Sequence, residues 1–238
     1  MTDELDNTPT DLVNSKAKSA SAKTVLVAVL AGGASQRFEG CKLAADIDVF
    51  DASGKVKRQP LILHSLDKVQ CLIAKAPTKI NYQVMVVLGE HSQVITALLP
   101  DEVKVIKNQQ WQQGISSSIK VAVAKAQSIQ ADGLLITLAD HIGVTLNDLY
   151  RLTTTWFANG QTSCAQYKNS FGTPAIFNSE DFKLLLSLSG DKGAKKLLIE
   201  KEKSQKINVI DIKFVTADID SKTDLEKWQQ QIKVTRDY

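Results

Sequence analysis

The feature that most constrains this chain is the continuous apolar run Val25-Leu26-Val27-Ala28-Val29-Leu30, which passes through Ala31 to the glycine pair Gly32-Gly33. Six apolar residues without polar alternation leave no solvent face. As a strand they must be covered on both sides, the condition of a strand inside a helix-flanked parallel sheet. Comparable runs recur at Val84-Met85-Val86-Val87-Leu88, Val103-Lys104-Val105-Ile106 and Leu134-Leu135-Ile136-Thr137-Leu138. Helical spacing marks the segments between them: one over 61–72, another starting at Ser116 or Ser117 with Ile119, Val123 and Ala126 on one face. Alternation of strand and helix predicts an α/β sandwich with a mainly parallel sheet.

Beyond Leu146 the order changes. A helix through Trp156 precedes short strands at 163–167 and 174–177, then helices near 179–188 and 191–200, strands near 207–217 and a final helix from Ser221. The polar stretch 46–59, with Gly54, reads as an exposed loop or hairpin. Residues 1–22 carry few large apolar side chains and are expected to form a disordered tail ahead of a single domain over 23–238.

Composition narrows the function classes. With 29 basic and 26 acidic side chains the net charge is only +3, too balanced for a nucleic-acid binder that works by phosphate neutralisation. Cys41, Cys71 and Cys164 are scattered and odd in number, against a disulfide framework or a zinc site. His64, His91 and His141 have no metal-ligand spacing and receive no role. No run reaches membrane-spanning length and no signal-peptide core is present, so the cytoplasm is the expected compartment.

After the first strand comes Gly32-Gly33-Ala34-Ser35-Gln36-Arg37-Phe38-Glu39-Gly40-Cys41-Lys42. Small residues let backbone N–H groups approach an anion, and Arg37 and Lys42 add positive charge suited to a triphosphate. The loop is neither a P-loop, since Gly40 is followed by Cys41, nor a dinucleotide fingerprint, since Ala34 stands where the next glycine is required. The glycines alone fit a plain strand-to-helix turn equally well.

Asp140 follows the run 134–138, at the strand edge where open α/β sheets bind ligands, and a carboxylate there suits Mg²⁺. A solvated loop or helix cap is the competing reading. Asp218 and Asp220 alternate along an extended segment and so share a face; Asp220 or Ser221 equally suits a cap for the last helix. Asn108, Gly114 and Ser117 lie between a strand and a helix, in position to offer donors to a nucleotide, and Gly89 ends another strand beside them.

Together these residues resemble the MobA-like NTP transferases, over about residues 24–230, and within them most nearly the molybdenum cofactor cytidylyltransferases. The pattern Leu-Ala-Gly-Gly/Ala-x-Ser-x-Arg-Phe-x-x-x-Lys-Leu is met by Leu30 through Leu43. Leu138-Ala139-Asp140 resembles the family's Leu-Ala-Asp-Gln-Pro, with His141-Ile142 replacing Gln-Pro. The stretch 218–224 resembles Asp-Ile-Asp-Thr-Pro-Glu-Asp, and 108–118 resembles Asn-x-x-Trp-x-x-Gly-x-x-Ser-Ser. Thr173-Pro174 matches a Gly-His-Pro loop with Thr173 for His, and Gly190-Asp191-Lys192-Gly193-Ala194 a further signature.

The resemblance implies a three-layer, Rossmann-like nucleotide-diphospho-sugar transferase fold. It implies a Mg²⁺-dependent transfer of CMP, or GMP, from CTP or GTP to the phosphate of molybdopterin, with delivery to a molybdoenzyme or its chaperone. Leu30, Ala31, Gly32, Gly33, Ala34 and Ser35 would hold the nucleotide with Gly89, Asn108, Gly114 and Ser117. Arg37, Lys42 and Asp140 would be catalytic, Asp140 and Asp220 would hold the metal, and Thr173, Pro174 and Asp191 would meet the acceptor. Two departures stand out: Ala31-Gly32-Gly33 has the guanylyltransferase form, and Glu39 occupies a position where glycine is usual. Transfer to a sugar or polyol phosphate, a non-catalytic nucleotide-binding module and a scaffold without a nucleotide site are the alternatives.

Overall fold

The computed structural model describes residues 22–50, 54–75, 78–167, 170–212 and 219–236, and the side chains up to 230. The apolar run forms the centre of β1 (Lys23–Ala31). A hairpin, β2 (Asp46–Phe50) and β3 (Val56–Pro60), leads into α1 (Leu61–Ala74), β4 (Ile80–Leu88), the short α2 (Ser92–Thr96) and β5 (Lys104–Lys107). Then follow α3 (Ile115–Ser128), β6 (Gly133–Leu138), α4 (Leu146–Asn159), β7 (Thr162–Tyr167) and β8 (Ser170–Asn178). The chain ends with α5 (Phe182–Leu186), α6 (Lys195–Lys203), β9 (Ile207–Asp211) and α7 (Lys222–Arg236).

Seven strands form one sheet in the order β5-β4-β1-β6-β8-β7-β9. All neighbours pair in parallel except β8, which runs antiparallel to both β6 and β7. The mainly parallel, mixed sheet expected from the sequence is therefore present. Val25, Val27 and Val29 of β1 join one apolar cluster with Leu61, Ile62 and Leu66 of α1 and Leu149 and Leu152 of α4. Leu26, Ala28 and Leu30 join the other, with Ile119, Ala122 and Val123 of α3 and Phe182 and Leu197 beyond. The two-residue period of a strand sends alternate side chains to opposite faces, so β1 holds both helical layers. Each fully buried Val or Leu contributes about 1.5–3 kcal/mol.

Several boundaries differ from expectation. The hairpin over 46–60 is not wholly exposed, because Ile47, Val49 and Gln59 are buried against α1 and its surroundings. Helix α3 begins one residue early: Gly114 is its N-cap, and Ser116, Ser117 and Ser118 are buried inside its first turn. The Ser117 hydroxyl donates to the Gly114 carbonyl rather than accepting a helix N–H. Helix α4 opens with a capping box between Thr145 and Asp148, and Ser221 and Asp224 exchange the same kind of bonds ahead of α7. The five-residue α2 is too short for periodicity to show. The tail expected over 1–22 falls, but for its last residue, outside the described residues, as do 213–218 with Asp218. Among the described residues no helix is long and apolar enough to cross a membrane.

His64 of α1 illustrates what the covered helix face costs. Burial, aided by Lys68 and Lys57, pulls its pKa from 6.5 down to about 3. The unfolded chain therefore binds a proton between those values that the folded chain refuses, and stability falls as pH drops through that window. Urea unfolding midpoints across pH 7 to 4 should decline more steeply for the native chain than for His64→Gln, by up to about 1.4 kcal/mol per pH unit. Parallel curves would contradict this.

Candidate active site

In this sheet β1 has β4 on one side and β6 on the other. The chain leaves β1 towards β4, so a crevice opens between the carboxyl ends of β1 and β6, where doubly wound sheets bind ligands. A cleft of about 530 Å³ lies there. Leu30 and the loop residues Gly32, Gly33, Ala34, Ser35, Gln36, Arg37 and Lys42 form one wall, with Leu138 and Asp140 from the end of β6. Trp111, Gln112, Gly114, Ile115 and Ser118 form the opposite wall around the start of α3, and Asp191 and Asp220 complete the rim.

Local packing explains how the loop reaches this site. Phe38 and Leu43 are buried and anchor it at two points, while Phe38 N–H donates to the Ser35 carbonyl (2.8 Å). Lys42 opens a 3₁₀ turn over Lys42–Ala44, which aims its side chain back into the cleft. Glu39 has a left-handed backbone, φ 54°, which a side chain adopts at a cost of about 1–2 kcal/mol and glycine does not. Glycine would be free of that cost, and the Glu39 carboxylate is paired with Lys222 at 2.8 Å. Its charge is thus answered on the side of α7, and Glu39 does not line the cleft.

At the centre, one ammonium serves two carboxylates. Lys42 Nζ lies 2.6 Å from Asp140 Oδ2 and 3.0 Å from Asp220 Oδ1, and Arg37 Nη2 lies 2.6 Å from Asp220 Oδ2. Burial alone would lower the Lys42 pKa, but the charge and hydrogen bond of Asp140, then those of Asp220, lift it above its ordinary value. Burial would raise Asp220, yet Lys42 and Arg37 together hold its carboxyl below the usual range. The Lys42 side chain is 12% exposed and the Arg37 side chain 75%, so the second pairing is the weaker and more exchangeable. Asp140 and Asp220 converge on one cation position, as hard oxygen donors for a divalent metal must. No cluster of three or more His, Cys, Asp or Glu able to hold a metal occurs among the described residues. The two carboxylates would thus leave coordination positions for phosphate oxygens and water, which is how Mg²⁺ commonly binds beside nucleotides.

The remaining expected residues fall into two groups. Gly114 and Asp191 meet directly: Asp191 Oδ1 accepts from Ile115 N–H (3.3 Å), and a Cβ on Gly114, whose φ is +88°, would lie 2.3 Å from that oxygen. Ala31, Gly89, Asn108 and Ser117 sit behind the lining instead. Asn108 N–H donates to Leu88 O (2.7 Å), and its Nδ2 donates to the Ser117 and Ser118 hydroxyls (2.7 and 3.0 Å). A Cβ on Gly89 would come within 2.2 Å of Gly32 O and 2.8 Å of Trp111 Cβ, so its glycine permits close approach of the two loops. Thr173 and Pro174 follow the last β6–β8 pair, Ile136 with Ala175, towards the carboxyl end of β6, and do not line the cleft. Gln36, Trp111, Gln112, Ile115, Ser118 and Leu138 line it without having been picked out as contacts, and His91 Nε2 lies 3.2 Å from Ala34 O. Trp111 and Ser118 belong to the resemblance over 108–118, whereas no charge or spacing in the sequence marks the others as contacts.

Comparison with known proteins places this geometry. The purine catabolism protein PucB of Bacillus subtilis (strain 168) is 32% identical over 90 residues, covering 38% of this chain and 43% of PucB, less than half of that relative. Rv0371c from Mycobacterium tuberculosis H37Rv shares 21% identity, covers 88% of this chain and 99% of its own, and superposes with a TM-score of 0.67. That protein has also been solved in complex with manganese. The molybdopterin-guanine dinucleotide biosynthesis protein A of Archaeoglobus fulgidus shares 16% identity, covering 86% of this chain and 97% of that one, with a TM-score of 0.55. At such identities these structures share the fold. The model of the MobA-like NTP transferase domain matches residues 27–206, a span that holds the glycine loop, Lys42, Asp140 and Asp191, and the chain belongs to that nucleotidyltransferase family.

Proposed function

We propose that this chain is a Mg²⁺-dependent nucleotidyltransferase that moves CMP, or GMP, from CTP or GTP to the phosphate of a molybdopterin-type acceptor and releases pyrophosphate. The observation that carries the reading is the placement of Lys42 between Asp140 and Asp220, beside a glycine loop, at the carboxyl ends of β1 and β6. The molybdopterin acceptor is supported by the sequence resemblance and by the kinship in fold with the Archaeoglobus protein.

An acceptor phosphate is already ionised, so its oxygen attacks the α-phosphorus without a strong general base. The bond from that phosphorus to the bridging α,β-oxygen breaks, and pyrophosphate leaves with the electron pair. Catalysis is then largely positioning and charge stabilisation. The loop from Gly32 to Ser35 offers backbone N–H groups, and Lys42 and Arg37 offer cations to the triphosphate and the departing pyrophosphate. Mg²⁺, held by Asp140 and Asp220, would neutralise charge on the phosphoryl group during transfer. Its two protein donors are those that Lys42 bridges in the structure.

Incubation with each of four NTPs, Mg²⁺ and molybdopterin, followed by pyrophosphate release, tests the reading. CTP or GTP should turn over, and Asp140→Asn, still folded by circular dichroism, should cut kcat by at least about 100-fold. Turnover with a sugar phosphate instead of molybdopterin would remove the acceptor. NTP binding without pyrophosphate release under any condition would leave a non-catalytic module.

Gly89→Ala probes the packing under the loop. The added methyl group meets the Gly32 carbonyl, so the loop must shift. The expected result is a rise in the NTP KM of about tenfold with a stability loss of about 1–3 kcal/mol, read by steady-state kinetics and urea unfolding. An unchanged KM would show that Gly32 does not need its present place.

A further inference from the structure

The turn that carries Asp140 is tied down from one side by helix α1. Ser65 Oγ donates to Ala139 O at 2.5 Å. Lys68 Nζ, one helical turn on, donates to the carbonyls of His141 (3.3 Å), Ile142 (3.2 Å) and Val144 (2.8 Å). Residues three apart on a helix share a face, so this single face of α1 meets four carbonyls of one turn.

The rest of the turn closes on itself. His141 N–H donates to Leu138 O, Ile142 N–H to Asp140 O and Val144 N–H to His141 O. With the α1 bonds, the carbonyls of residues 138 to 142 and of 144 are all engaged. The side chain of Asp140 is the group the turn presents to Lys42, at 2.6 Å.

Lys68 is an expensive choice for a helix face packed on a core. Burial pulls its ammonium down to about 7, with Asp148 acting in the other direction. An ammonium has three N–H donors and a neutral amine two, so three converging carbonyls favour the charged form and use all of it. An apolar residue would pack there at lower desolvation cost but would leave the carbonyls without that donor.

We propose that Lys68 is a positioning residue for the transfer reaction: by holding the carbonyls of His141, Ile142 and Val144 it fixes the turn that sets the Asp140 carboxylate opposite Asp220. The role rests on the nucleotidyl-transfer reading given above. Lys68 does not line the cleft; it acts through backbone carbonyls of the turn.

The test compares the native chain with Lys68→Met and, as a milder variant, Ser65→Ala, which removes only the bond to Ala139 O. Mn²⁺ uptake is followed by electron paramagnetic resonance in the presence of a non-hydrolysable CTP or GTP analogue, and pyrophosphate release is measured in parallel. Lys68→Met should weaken Mn²⁺ uptake about tenfold and lower kcat 10- to 100-fold while the NTP KM stays within about threefold. Ser65→Ala should move the same two quantities in the same direction by about two- to fivefold, which keeps the test decisive if Lys68→Met does not fold.

Mn²⁺ uptake and kcat unchanged in the folded variants would overturn the proposal, as would a rise in KM equal to the loss in kcat. A native chain that takes up no Mn²⁺ with either analogue would also overturn it. A native chain that takes up Mn²⁺ yet transfers nothing would remove the reaction, whereas unaltered uptake in the variants beside an active native enzyme would remove only the role of Lys68.

Discussion

The ammonium of Lys42 joins three segments that are far apart in the chain: the loop after β1, the turn after β6 and the approach to α7. Each brings a group that would be unfavourable alone. Two carboxylates facing one another at a strand edge repel, and a largely buried ammonium without partners is destabilised by desolvation. Shared, and with Arg37 on Asp220 as well, the charges balance, which is why Lys42 and Asp220 shift in opposite directions, one up and one down. The same arrangement gives the cleft its chemistry, because the oxygens that hold a lysine are the kind that hold a divalent metal.

The scaffold beneath this contact is set by small residues and by α1. Gly89 lets the end of β4 approach the Gly32 carbonyl, and Gly114 lets the Asp191 loop close on the start of α3. Asn108, buried, ties the end of β4 to two serines of α3. Residues taken as nucleotide contacts from their position thus divide between those that face the cleft and those that hold the facing ones still. Both kinds matter to a reaction that depends on geometry, since a displacement of about 1 Å of a reacting group is costly.

The sheet was legible because burial on both faces leaves a mark: the uninterrupted runs at 25–30, 84–88 and 134–138 have no other stable home. The strand expected at 174–177 lies within the nine-residue β8, but its antiparallel insertion between β6 and β7 was not foreseen, since pairing order leaves little local trace. Asp140 was visible as a charge at the end of a strand, and Lys42 as a charge in the loop that follows one. Asp220 had to compete with Ser221 as a cap, and the structure divides the work: Ser221 bonds with Asp224, and Asp220 turns to Lys42 and Arg37. Gln112, Ile115 and the Lys68 clamp were not legible, because each owes its position to a contact between elements distant in sequence.

Charge balance links the resting arrangement to the loaded one. Arg37 and Lys42 against Asp140 and Asp220 sum to zero, so a triphosphate entering by itself would bring several negative charges to a frame whose cations are already engaged. The exposed Arg37 pair can exchange at small cost, but Lys42 cannot leave both carboxylates uncompensated in a partly buried position. On the proposed reading, a divalent cation held by Asp140 and Asp220 would compensate both carboxylates and leave the Lys42 ammonium available to phosphate. On that reading the resting ion pairs would be the exchange partners of the loaded site, and nucleotide and metal would favour each other's entry through the same four side chains.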